Sequence, residues 1–219
     1  FIYAYETGLS SDPEMNWRLS ALDKLTCLSN SDAHSLENIG REANVMELTS
    51  ASYENIYQII KGKKRLVAGD VEGMIETIEF YPEEGMYHLD GHRDCHFSCN
   101  PEESRRLHNL CPHCGRPLII GVSSRVAELA DRPLGFKPDK AVPFRRLVEL
   151  DKIIAESLQV KNRKSIKVNI VYQELIKKFY SELSILMDLD LTILKSDYPV
   201  VAAGIERVRQ GQLTIIPGF

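Results

Sequence analysis

LTCLSNSDAH, residues 25–34, is an apolar run that passes through small polar residues to a carboxylate and an imidazole two positions apart, Asp32 and His34. The run follows FIYAYE (residues 1–6), rich in aromatic and β-branched side chains, and both segments read as strands. Between them, PEMNWRLSALDK (residues 13–24) opens on Asp12 as N-cap with Pro13 at the first helical position, which predicts a short helix. Beyond His34 a polar stretch to Ala51 reads as loop. SYENIYQIIK (residues 52–61) then sets Ile56, Ile59 and Ile60 at helical spacing behind a capping Ser52. Strand, helix, strand, loop, helix is the order of an α/β fold. Residues i and i+2 of a strand share a face, so Asp32 and His34 project together from a strand end and could grip a hard or borderline metal ion. Taken alone, the string fits equally a capping aspartate beside an ordinary surface histidine. A metal hydrolase needs more than two ligands. Glu6, at the end of the preceding strand, is the nearest candidate carboxylate, or else a partner for a lysine.

Composition narrows the class. The chain has 219 residues, 43% hydrophobic and 26% charged, which is ordinary globular usage and excludes a disordered tail. A formal charge of -4 argues against non-specific coating of nucleic acid, while leaving room for a local basic face. No apolar run reaches the roughly 18 residues that span a bilayer, and the first residues lack a basic n-region and a cleavage site, so a cytoplasmic protein without membrane contact is expected. The opening resembles the inside of a strand and lacks methionine, so a piece of a longer protein is expected.

Four of the five cysteines lie between Cys95 and Cys114, which in a non-secreted chain reads as a metal site before disulfides. Cys95-x3-Cys99 and Cys111-Pro-His-Cys114-Gly115 predict a closed, structural four-thiolate zinc site, with Gly115 suited to the knuckle turn; the alternative is four free or redox-active thiols. His92, His96 and His113 are possible substitutes for a cysteine. Cys27, inside LTCL, reads as a small buried hydrophobe.

TIEFYPEEGMYHLDGHRD (residues 77–94) concentrates Glu79, His88, Asp90, His92 and Arg93 among aromatics. Such a mix could line a pocket that stacks on a base and bonds its edge, or be a solvated hairpin. The proline-rich segment from Arg132 to Pro143 is a candidate linker, and LIIGVSSRVAELAD before it reads as a strand leading into a helix. From Phe144 the pattern is helical, in FRRLVELDKIIAESLQ, VNIVYQELIKKFYSELSILM and VVAAGIERVRQG. Basic residues from Arg145 to Lys167 are phosphate contacts or a charged helix face.

Taken in order, ETGLSSDPEMNWRLSALD, SNSDAHS, GREANV, TIEFYPEEGMYHLDGHRDC, CPHCGRPL, VAELADRP and AVPFRRLVEL resemble the endonuclease Q family, PHP-domain (polymerase and histidinol phosphatase) proteins of archaea and some bacteria. The resemblance covers nearly the whole chain. It implies the C-terminal part of a distorted β/α barrel of PHP type (residues 1–76), a four-cysteine zinc-binding region (77–132) and a helical C-terminal domain (133–219). It implies a DNA repair endonuclease that recognises uracil, hypoxanthine, xanthine or an abasic site and cuts on the 5′ side. Asp32 and His34 become catalytic ligands for Zn2+, Mn2+ or Mg2+, and Arg41, Glu79, His88, His92 and Arg93 become DNA-contact candidates. Replication or repair proteins are possible partners. PHP sites also use an N-terminal Asp-x-His-x-His motif that this sequence lacks, nothing glycine-rich follows the terminal PGF, and residues 65–76 look rearranged. The expectation is therefore a C-terminal portion with an incomplete metal cluster. The rival readings are a non-catalytic zinc-dependent module that binds DNA or protein, and a phosphoesterase acting on small esters.

Overall fold

Tyr5 lies opposite Cys27 in a parallel strand pair, with Ala4 opposite Thr26 and Glu6 opposite Leu28. Parallel strands require a crossover, and in this computed structural model, which describes residues 2–215, β1 (Ala4–Glu6) crosses through α1 (Pro13–Asn16) to β2 (Thr26–Leu28). Phe1 of the expected first strand and the PGF end of the expected helical domain lie outside the described residues. Asp12 caps α1 as anticipated, its Oδ1 accepting the Met15 N–H at 2.8 Å. The helix expected over 13–24 stops early, and a 3-10 turn at Ser20–Lys24 completes the segment. The cause is tertiary. The Arg18 carbonyl accepts the N–H groups of Asp131 and Arg132 at 3.1 and 3.2 Å, and the Ser20 N–H donates to Asp131 Oδ1 at 2.9 Å, diverting groups a continuous helix would use.

The stretch read as loop after His34 contains β3 (Ala43–Glu47). A register shift between Val45 and Met46 breaks the alternation of two that identifies a strand, which hid it from pattern reading. Next come α2 (Tyr53–Gly62), capped by Ser52 as expected, and β4 (Gly73–Glu79), antiparallel to β3. β4 continues across position 76. The cysteine-rich segment folds as β5 (Asp90–His92) and β6 (Phe97–Cys99), an antiparallel pair, followed by α3 (Pro101–Arg106) and α4 (Val122–Leu129). The strand expected before α4 shrinks to isolated bridges, Ile119 with Gly91 and Leu110 with Pro117. Then β7 (Phe144–Arg146) completes a sheet of order β3-β4-β7. FRR, read as helix, is held extended because Pro143 O accepts the Thr77 N–H at 3.0 Å and the Arg145 guanidinium grips both oxygens of the buried Glu76.

The described residues divide into a first compact unit, residues 2–145 with Ile215, and a second spanning Arg146–Thr214. The second is helical: α5 (Leu150–Ser157), α6 (Ile166–Phe179), α7 (Glu182–Met187), α8 (Thr192–Lys195) and α9 (Pro199–Arg209). Leu150, Ile154, Leu175, Ile185, Leu194 and Ile205 are fully buried and form its core. Apolar burial of this kind stabilises by roughly 1.5–3 kcal/mol per large side chain. The long helix read from Val168 to Met187 breaks at Tyr180, whose φ of 68° ends α6, and Ser181 caps α7. A Cβ on Gly204 would lie 2.7 Å from Ile153 Cγ2, so glycine there permits the close approach of α9 to α5. Among the described residues, no helix is long and apolar enough to cross a membrane.

Candidate metal centre and adjoining cleft

Both sites belong to the first unit. At the end of the β5–β6 hairpin, one ligating atom each from His92, Cys95, Cys111 and Cys114 lies within 4.8 Å of the others. Three thiols and one imidazole at that separation match the donor set and closed tetrahedral arrangement of structural zinc sites, so the residues fit a metal ion. The backbone explains the gathering. His92-Arg-Asp-Cys95 and Cys111-Pro-His-Cys114 are two knuckles of equal spacing. In each, the residue after the last ligand takes a left-handed conformation, His96 at φ 48° and Gly115 at φ 70°. The turns are closed by His96 N–H to Arg93 O at 3.0 Å and Gly115 N–H to Cys111 O at 2.8 Å.

Cys99, expected as the second ligand, is outside this group. It pairs opposite Asp90 on β6, one pleat period from Phe97 and the hairpin end, about 6–7 Å along the strand. There it is buried and packs with Cys111 and Leu118. The imidazole of His92 takes the fourth position. The signal was present in the sequence: the spacing of two between His92 and Cys95 repeats that between Cys111 and Cys114, whereas Cys95 and Cys99 are separated by three.

The hairpin is tied to α4 by Asp90, whose carboxylate is buried and accepts the Gly121 N–H at 2.7 Å and the Ser124 hydroxyl at 2.8 Å. Gly121 must lack a side chain, since a Cβ would stand 2.5 Å from Leu89 O. Val122 N–H to Tyr87 O at 2.8 Å and Ser123 N–H to His88 O at 3.0 Å complete the junction.

Beside it opens a cleft of about 900 Å³ lined by Glu6, Asp32, Arg41, Phe80 and Tyr87 among others. His34 Nε2 lies 3.5 Å from Asp32 Oδ1, and both side chains are largely exposed. The two meet across a turn and not along a strand face, because Asp32 has a φ of 43° beyond the end of β2. Among the described residues, no third histidine, cysteine or acid gathers with them into a metal-sized group. Arg41 fixes the loop that carries Asp32, donating to Ser31 O at 2.8 Å and Asp32 O at 3.4 Å, while its guanidinium covers the Phe80 ring at 5.6 Å.

Two carboxyls are sealed behind this surface. Glu79 is fully buried, with hydroxyl donors Thr7, at 3.0 Å, and Thr77 on its oxygens. Burial pushes its pKa up to about 7 against those hydrogen bonds. Glu42 is 2% exposed, and burial aided by the charge of Glu79 raises it to about 8. Glu42 Oε1 accepts the Phe80 N–H at 3.4 Å, and Oε2 has no hydrogen-bond partner among the described residues. Glu79, a DNA-contact candidate from the sequence, is fully buried in this structure. His88 is nearly buried too, its Nδ1 3.1 Å from Ser10 O. Arg93 is exposed and reaches Met86 Sδ at 2.9 Å.

Known families, proteins and solved structures show what the chain is similar to. Residues 149–212 match the family model described as the MJ0043 C-terminal domain. The chain is 32% identical to the uncharacterized protein MJ0043 of Methanocaldococcus jannaschii, an alignment covering 97% of this chain and 27% of that protein. It is 33% identical to the uncharacterized protein YqxK of Bacillus subtilis over 60% of the chain and 31% of that protein. Among solved structures, the lesion-specific endonuclease PfuEndoQ of Pyrococcus furiosus superimposes on the whole chain with a TM-score of 0.86 at 33% identity. The chain is similar to endonuclease Q over its whole length. A second endonuclease Q structure, a complex with a 27-mer duplex substrate bearing an abasic lesion at its active site, matches with a TM-score of 0.85 at 32% identity. The chain spans about half of each solved endonuclease Q chain, 53%, and about a quarter of MJ0043.

Proposed function

We propose that the chain is the C-terminal portion of a metal-dependent DNA repair endonuclease that recognises a deaminated base or an abasic site and cuts 5′ of it. The supporting observation is the likeness of the entire chain to a lesion-specific endonuclease, with Asp32 and Arg41 lining one open cleft and His34 3.5 Å from Asp32. In this reading residues 1–76 are the last part of a PHP barrel, 77–132 the zinc-binding domain and 133–219 the helical domain. Asp32 and His34 are ligands for divalent ions, which when bound activate water and stabilise charge on the scissile phosphate. The other ligands come from the part of the endonuclease Q fold that this chain does not span, so the chain alone is catalytically incomplete. Arg41 and Arg93 contact the strand, Phe80 and Tyr87 flank the extruded nucleotide, and extrusion costs least where the base is already mispaired or absent. His92, Cys95, Cys111 and Cys114 hold a structural zinc ion.

The test compares a protein extended to the full length of the solved relatives with its Asp32→Ala variant, on labelled duplex DNA carrying one uracil, hypoxanthine or abasic site, with manganese or magnesium. Lesion-dependent incision by the parent, with the variant at least 100-fold slower but binding the duplex equally, is expected. Unchanged incision in the variant removes Asp32 from the metal site. That no third ligand stands beside Asp32 and His34 among the described residues favours one alternative, a zinc-dependent binding module without chemistry. Lesion DNA bound but never cut by the extended, zinc-loaded protein would establish that alternative.

A further inference from the structure

The first unit contains a second cavity, of about 330 Å³, that shares no lining residue with the cleft. Its walls include Trp17, Tyr5, Leu22, Leu25 and Met74, and three lysines line it as well: Lys63, Lys64 and Lys140. Two acids also face it, Asp23 and Asp139. Asp23 is already committed, because both of its oxygens are gripped by the Arg132 guanidinium. Three exposed lysines thus line the cavity beside the Asp139 carboxylate, around an apolar and aromatic interior. A fourth lysine, Lys137, places its Nζ 5.6 Å from the centre of the Trp17 ring.

Lys63 carries a second observation. It caps the C-terminus of α2 with φ 50° and ψ 43°, left-handed values for which helices ordinarily employ glycine. Gly62 stands one position too early to serve. Side chains are rarely held in this region unless the surroundings demand it, and such outliers concentrate at ligand sites. Here the strained backbone holds a cation at the cavity.

We propose that this cavity binds a nucleoside monophosphate group, with the base against the Trp17 and Met74 wall and the phosphate between Lys63 and Lys140. The volume falls within the range of small-ligand pockets and excludes a folded partner. An apolar wall with a cationic mouth selects a planar apolar body carrying an anion. The group could be a free nucleotide or the phosphorylated end of a DNA strand. The inference does not rest on the function assigned to the cleft.

Trp17 is the chain's single tryptophan, so its fluorescence reports occupancy directly. Titration with deoxyadenosine 5′-monophosphate should give a saturable change, with deoxyadenosine and inorganic phosphate each at least tenfold weaker. The double variant Lys63→Glu, Lys140→Glu should bind at least tenfold more weakly with an unchanged unfolding midpoint. Lys63→Gly should separate the two roles of that residue, binding more weakly while unfolding at a higher temperature. Asp32→Ala should bind as the parent does. A signal that never saturates, a nucleoside that binds as well as the nucleotide, or lysine variants that bind like the parent would each overturn the proposal. A 5′-phosphorylated oligonucleotide that outcompetes the mononucleotide identifies the strand end as the source, and the reverse order identifies the free nucleotide.

Discussion

His92 Nδ1 lies 3.7 Å from Cys114 Sγ, so an imidazole from the first knuckle meets a thiol from the second. That contact separates two ligand sets. Substitution of His92, Cys95 or Cys111 by alanine should abolish stoichiometric zinc, whereas Cys99→Ala should retain about one ion per chain. Metal analysis of the purified variants decides between them. Zinc retained by His92→Ala and lost by Cys99→Ala would restore the four-thiolate set.

In the twin knuckles the left-handed position after the second ligand is His96 in one and Gly115 in the other. A non-glycine residue there costs about 1 kcal/mol or more. His96→Gly should raise the stability of the zinc-loaded protein by about 1 kcal/mol, and Gly115→Ala should lower it by a similar amount. Denaturant melts in the presence of zinc measure both, and a His96→Gly variant no more stable than the parent sinks the argument.

The Glu42 and Glu79 carboxyls give stability a pH slope with a definite sign. Both have folded pKa values above the ordinary carboxylate value, near 8 and near 7. The folded state therefore binds protons that the unfolded chain has released, and stability contributed by the protonated forms is lost as pH rises from about 4.5 to 8. Glu42→Gln mimics the protonated group. It should match the parent at pH 5, exceed it at pH 9, and show a shallower decline between, as read from urea midpoints. Parallel profiles for parent and variant would exclude a raised Glu42.

In the second unit, Gly204→Val should drive a side chain into Ile153 and destabilise by roughly 1–3 kcal/mol, the usual cost of overpacking. Leu175→Ala, at a site with no exposure, should cost about 2–5 kcal/mol through the cavity it leaves. Thermal melts of the two variants test the packing of α9 on α5 and the burial of α6. A neutral Gly204→Val would mean that α9 can move away from α5 at no cost.

The parts of this fold legible in the sequence were those governed by local chemistry. Asp12 with Pro13 and Ser52 announced their helices because a cap satisfies orphan N–H groups within three residues of itself. What escaped was set by distant partners. The early end of α1 depends on Asp131 and Arg132, and FRR is extended because Glu76 and Thr77 claim it, more than sixty residues away. β3 carries a register shift that erases its period. At the candidate site, Asp32 and His34 were visible as a pair, but the turn that joins them was not. Glu79 read as a DNA-contact candidate, and nothing local reveals that Thr7 and Thr77 enclose it.

Asp90 stands two residues from His92 and holds the start of α4, and the same helix start is bonded to the carbonyl of Tyr87 on the cleft wall. Ordering the hairpin by a metal and shaping the cleft for a ligand would then draw on one conformational equilibrium. Thermodynamic linkage makes such a coupling reciprocal. Whatever factor zinc contributes to affinity at the cleft, a cleft ligand returns to the affinity for zinc.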